Sequence, residues 1–135
     1  RNSILSANTD NSPATKFNDC IGSLTSADYN LFAVTPGCAI GGVTAHDRTG
    51  DPLLGALANN GGSTLTRMPQ PTSLAIDGGN AAGCRDQANN LLTTDQRGSV
   101  RPIDGDGVGG AVCDIGAVEA PAGLRVFVPK TMRGE

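Results

Sequence analysis

The chain has 135 residues, enough for one domain with a buried core, and a net charge of −3 with interspersed signs, which offers nucleic acid no basic stripe. No apolar run approaches the roughly 18 residues that a membrane-spanning helix needs. With 19 Gly, 8 Pro, no Trp and eleven Asp against two Glu, the composition favours turns over helix surfaces and predicts an all-β chain.

Residues 2–8 read as a strand centred on Ile4 and Leu5. Thr9 to Ile21 has loop chemistry, with Asp10-Asn11-Ser12-Pro13 as a turn signal. Ser23 to Val34 carries the next strand, centred on Tyr29-Asn30-Leu31-Phe32, and Thr35-Pro36-Gly37 turns the chain into Cys38. Gly41-Gly42 predicts a break, and a third strand is centred on Leu53-Leu54. Asn59-Asn60-Gly61-Gly62 accepts left-handed backbone. Short strands follow at Thr64–Thr66 and Leu74–Ile76, then a long loop through Cys84 and Asp95-Gln96-Arg97-Gly98, and a last strand at Asp114–Val118.

Such strands, recurring roughly every 20–28 residues with no helical segment between them, predict a β-solenoid whose layers stack strand on strand. A β-sandwich also uses short strands and Gly/Pro turns, but it predicts alternation over five or more residues, and this chain shows almost none. Residues 1–119 form the predicted rungs and closing motif, and residues 120–135 a linker and edge-strand tail. The chain starts at Arg1 without Met or a signal peptide, which predicts a fragment or processed product.

The four cysteines, Cys20, Cys38, Cys84 and Cys113, form no CxxC or CxxH pair, and His46 is the only histidine, so zinc is disfavoured. An even count at wide spacing suits two disulfides in an oxidising, extracellular compartment. Of the three connectivities, Cys20–Cys38 with Cys84–Cys113 is preferred, because each bridge closes a loop-rich stretch between predicted strands. Four reduced, buried thiols are the alternative.

Seven short motifs then stand in a fixed order: Asn2-Ser3-Ile4, Tyr29-Asn30-Leu31, Asp51-Pro52-Leu53-Leu54-Gly55, Asn60-Gly61-Gly62-Ser63-Thr64, Ala75-Ile76-Asp77-Gly78-Gly79, Asp95-Gln96-Arg97-Gly98 and Cys113-Asp114-Ile115-Gly116-Ala117-Val118-Glu119. Together they resemble the choice-of-anchor Q domain, the C-terminal part of large bacterial surface proteins. The resemblance implies a right-handed parallel β-helix, here its C-terminal rungs and cap, with N-terminal rungs that this chain lacks. It departs from the family at Thr66-Arg67 (usually Thr-His), at Leu74 (usually Pro) and at Val118 (usually Phe). An uncovered first rung is an aggregation hazard, so Arg1–Ala33 is expected to stack on other rungs of the same precursor or on another subunit. Ile4 and Leu5 are the predicted interface. Leu124, Val126 and Val128 alternate with Arg125 and Phe127 and suit an edge strand that joins a partner or folds back on its own chain.

Asp104-Gly105-Asp106-Gly107 offers two carboxylates on flexible backbone, a beginning of a calcium loop, although the distal ligands of an EF-type loop are missing. The plainer reading is a protruding Gly-rich turn with solvated aspartates. Asp95, Arg97 and Arg101 suggest a groove for an acidic surface glycan; alternatively, Asp95 and Arg97 hydrogen-bond a turn and hold the last rungs together. Asp77 and Asp114 flank short apolar runs, where Asx-turns form.

Enzymatic use of the fold is disfavoured. Asn8-Thr9-Asp10 resembles one motif of polygalacturonase-like hydrolases, but the companion Asp-Asp, Gly-His-Gly and Arg-x-Lys motifs are absent, and His46 has no Ser or Cys motif to complete a triad. The expected function is a non-catalytic, secreted or cell-surface structural or adhesion module. The alternative is a carbohydrate-binding or polysaccharide-cleaving β-helix whose active residues lie on absent N-terminal rungs.

Overall fold

The computed structural model describes residues 1–11, 13 and 19–124. Among them there are seven strands and no helix: β1 (Ile4–Leu5), β2 (Gly22–Ala27), β3 (Leu31–Phe32), β4 (Cys38–Val43), β5 (Arg48–Thr49), β6 (Leu54–Ala58) and β7 (Thr66–Pro69). They form three sheets, none of them closed. In one, β1, β3 and β5 lie parallel in that order, with Ile4 beside Leu31 and Leu31 beside Arg48. In the second, β2 and β4 run parallel in unbroken register from Gly22–Cys38 to Ala27–Val43. The third is an antiparallel pair, β6 with β7, whose register shifts between Leu54 and Leu57.

The two parallel ladders alternate along the chain, so the polypeptide turns the same corner twice. At the first corner Asp28 and Tyr29 take φ of 75° and 58°, left-handed backbone that a non-glycine residue adopts only when its surroundings hold it there. The second corner supplies that hold. His46 donates its backbone N–H to Asp28 Oδ1 and places Nδ1 against Asp28 Oδ2, each at 2.7 Å. The Tyr29 and His46 rings stack with centroids 4.7 Å apart and planes 1° from parallel. Asn30 donates its backbone N–H to Asp47 Oδ1 at 2.8 Å, while its own Oδ1 accepts the N–H of Ser3 at 3.1 Å. Asn30 and Asp47 thus repeat one role on successive layers, a side-chain oxygen taking the backbone N–H of the layer before.

Four sequence expectations change here. The strand predicted over Ser23–Val34 is split, because the left-handed corner at Asp28–Tyr29 separates β2 from β3. The break expected at Gly41-Gly42 does not occur; β4 passes through both glycines, paired with Thr25 and Ser26. Leu74–Ile76 and Asp114–Val118 form no strands. Ser73 Oγ instead joins Pro52 O at 2.5 Å and the N–H of Ala75 at 3.1 Å, which turns the chain before a strand can start. The closing segment bends through single hydrogen bonds, Ile115 N–H to Ala75 O at 2.8 Å and Gly116 N–H to Asn2 O at 3.0 Å.

Those two bonds position the core. Leu31, Ala75 and Ile115 are buried together, with Ile4 packed against them, so the first strand, the middle turn and the closing segment share one apolar centre. Both disulfides follow the preferred pairing, Cys20–Cys38 and Cys84–Cys113, with Cα atoms 5.5 and 5.4 Å apart, and no described cysteine is free. They suit an oxidising compartment. No helix among the described residues is long and apolar enough to cross a membrane. Val126, Val128 and the tail strand lie outside the described residues. Leu124 donates its N–H to Gly105 O at 2.7 Å, which turns it back toward its own chain.

Candidate functional site

The residues with the most concentrated polar chemistry are those of the Asp95-Gln96-Arg97-Gly98 turn and the Cys113–Glu119 segment. Asp95 is buried, and its Oδ1 accepts the N–H groups of Arg97 and Ser99 at 2.7 and 3.1 Å, which shapes the turn. Its Oδ2 accepts Arg97 Nε and Nη2 at 2.9 and 2.7 Å, and the N–H of Glu119 at 3.0 Å. Arg97 Nη2 then reaches Glu119 O at 2.6 Å, and Nη1 reaches Asn60 O at 3.3 Å. Gly62 makes this approach practicable. Its φ is +76°, and a Cβ there would stand 2.7 Å from the Arg97 Cα.

A second buried pair lies beside the first. Arg101 Nε donates to Glu119 Oε1 at 2.7 Å, and its Nη2 donates to Asp114 O and Gly116 O at 3.1 and 3.2 Å. Glu119 Oε1 also accepts the Asp114 N–H, and Oε2 accepts the Ile103 N–H at 3.0 Å. The Arg101 and Glu119 side chains are 6% and 0% exposed, so both charges are desolvated and depend on one another. Asp114 is fully buried; its Oδ1 accepts the Asp77 N–H at 2.7 Å and its Oδ2 the Ala120 N–H at 2.5 Å.

Asp95, Arg97 and Arg101 therefore stand together, as the sequence suggested, but their charged atoms are taken up within the chain, joining the Asn60 turn, the Asp95 turn and the closing motif. This is the turn-holding arrangement rather than a groove with free cations. Glu119 and Asp114, partners that complete the network, were visible only as parts of the closing motif. Asp104 and Asp106 lie close to Asp77, which the sequence reading had placed in a turn.

Burial is the main force on the Asp114 carboxyl. The nearby Glu119 and Asp77 carboxylates add to it, the two N–H bonds oppose it, and the pKa is pushed up from 3.8 to about 7. For Asp95, burial is the largest single influence but is outweighed by Arg97 and the three backbone N–H groups, and its pKa lies below the usual value. A raised pKa in the folded chain means that the stabilisation from Asp114 is complete below the unfolded value and is lost as pH rises through about 7. Asp95 acts in the opposite sense, its contribution being lost as pH falls below the unfolded carboxylate range. The network is thus expected to be most stable near about pH 4 and to weaken progressively from there to just above pH 7. Denaturant titrations in metal-free buffer should show a loss of about 1.4 kcal/mol from pH 6 to 8, and Asp114→Asn should flatten that slope. An unchanged slope in the variant would contradict the assignment.

A cleft of about 670 Å³ lies between the first strand and the β6–β7 pair, lined among others by Ile4, Leu57, Leu65 and the arginines at positions 1, 67 and 85. The hydrogen bonds of these arginines go to neutral oxygens: Arg1 to Ala27 O and Asn89 Oδ1, Arg67 to Gly55 O and Arg85 to Asn89 O. Comparison with family models, with curated proteins and with solved structures returns no match.

Proposed function

We propose that this chain is a non-catalytic structural or adhesion module, secreted or displayed on a cell surface, that closes the C-terminal end of a right-handed parallel β-helix. Its work is mechanical: it stacks on further rungs or on another chain through its first strand, and its closing motif holds the end of the coil together. The observation that carries the reading is the repeated corner. Asn30 and Asp47 hold equivalent positions on successive parallel layers, as in a coil that adds one layer per turn. The charged network supports it, because its arginines and carboxylates are consumed in joining turns.

The proposed contact uses β1. Leu31 and Ala33 donate their N–H groups to Ser3 O and Leu5 O, so the intervening Ile4 amide faces the other edge, where no strand is hydrogen-bonded among the described residues. Hydrogen exchange at Ile4 should be fast in the isolated chain and strongly slowed in the assembled partner complex or longer polypeptide. Equal, fast exchange in both would remove the stacking role.

A second reading, binding or cleavage of an acidic polysaccharide, is favoured by the cleft arginines Arg67 and Arg85, whose hydrogen bonds go to neutral oxygens. A uronate-rich glycan array and a cleavage assay on the same polypeptide separate the two. Retention or turnover that disappears in Arg67→Ala, with the melting temperature kept, would favour the second reading.

A further inference from the structure

We propose that Asp77, Asp104 and Asp106 form a calcium site that fastens the loop after Ile103 to the closing motif. One oxygen from each carboxylate lies within 4.8 Å of the others, although residue 77 is far from the other two in sequence. Independently of that proximity, Asp104 Oδ1 is shut off from water and accepts no hydrogen bond. A buried, unsatisfied carboxylate oxygen is costly unless a cation or donor meets it, and the two other carboxylates at hand supply no donor when ionised. The proposal does not depend on the stacking role.

The surrounding backbone holds the three groups in place. Gly105, between two of the ligands, is packed so closely that a Cβ would stand 2.8 Å from Ile76 Cγ2 and 3.2 Å from the Ala120 Cβ. Asp77 Oδ2 accepts the Asp106 N–H at 2.8 Å and Oδ1 the Val112 N–H at 3.3 Å, which leaves lone pairs on both oxygens for a metal. Asp106 Oδ1 accepts the Val108 N–H at 2.7 Å, fixing the turn.

The donor set selects the ion. Three carboxylates with no nitrogen or sulfur ligand suit a hard cation. Calcium takes about six to eight oxygens in flexible geometry, whereas magnesium demands a near-ideal octahedron, keeps several waters and is usually held by only one or two carboxylates. Waters and backbone carbonyls complete the shell. Because Asp77 also donates its N–H to Asp114, the ion would join the loop to the buried network through one residue.

Isothermal titration of calcium into the chelator-treated protein, with melting scans alongside, tests the proposal. One calcium per chain should bind, and saturating calcium should raise the melting temperature by several degrees. Asp104→Asn and Asp106→Asn should each weaken binding at least tenfold and lose the calcium-dependent shift. The exposed Asp51→Asn, outside the cluster, should keep both. No heat and no shift at millimolar calcium, or binding unchanged in both cluster variants, would overturn the site. An equal shift from magnesium at the same concentration would overturn the choice of ion.

Discussion

Glu119→Ala should destabilise the chain by about 3–5 kcal/mol, the cost of leaving a buried charge without its partner. The side chain is fully buried and does three things: it neutralises Arg101 through Oε1, accepts the Asp114 N–H, and accepts the Ile103 N–H through Oε2. Truncation leaves the buried Arg101 charge without its counter-charge, held only by the carbonyls of Asp114 and Gly116, and two backbone N–H groups without their acceptor. Glu119→Gln should recover only part of the loss, because its amide restores a neutral acceptor on one side and sets a donor against a donor on the other. Urea unfolding followed by circular dichroism measures both variants. A loss under about 1 kcal/mol for the alanine variant would mean that Arg101 finds another acceptor and that the closing motif is not held by this pair.

The second large effect is expected at the Cys84–Cys113 bridge. Both cysteines are 1% exposed, and the bond spans a sequence separation of 29, a stretch with no strand of its own, whose backbone pairing is limited to turns and three isolated bridges. Loop-closure entropy for that separation is worth about 3–4 kcal/mol, and little local sheet replaces the constraint. The double variant Cys84→Ser/Cys113→Ser should therefore lose about 3 kcal/mol or more, and the native protein should melt at a markedly lower temperature under reductant. Cys20–Cys38, whose residues are half-buried, should reduce first, so graded reduction resolves two steps. Identical melting of the oxidised and fully reduced chain would contradict a structural role for the bridges.

The class of structure was legible because composition acts through backbone preference: a chain this rich in Asp, Asn and Gly has few places to start a helix. The preferred disulfide pairing was legible, but its premise applies to one bridge only: turns fill the stretch from Cys84 to Cys113, whereas β2 and β3 lie between Cys20 and Cys38. The corner at Asp28–Tyr29 was not. Tyr29 is a good strand residue by itself, and the left-handed turn is held largely by His46 and Asp47 of the next corner, about 17–18 residues further on. The missing strand at Leu74–Ile76 has a similar cause, since its apolar run still enters the core but Ser73 ties the chain to Pro52 first. In the charged network, Asp95 and Arg97 announced themselves because they are two residues apart and act within one turn. Arg101 with Glu119, and Asp77 with Asp104, pair across distances in sequence that no local pattern encodes.

The apolar centre has a consequence for how the chain reaches its native state. Ile4 and Leu31 come from its beginning, Ala75 from the middle and Ile115 from near its end, and Gly116 hydrogen-bonds Asn2. During synthesis this apolar centre cannot be completed until residue 115 has emerged. Folding must then close loops of great length, which makes it slow relative to a chain of local contacts.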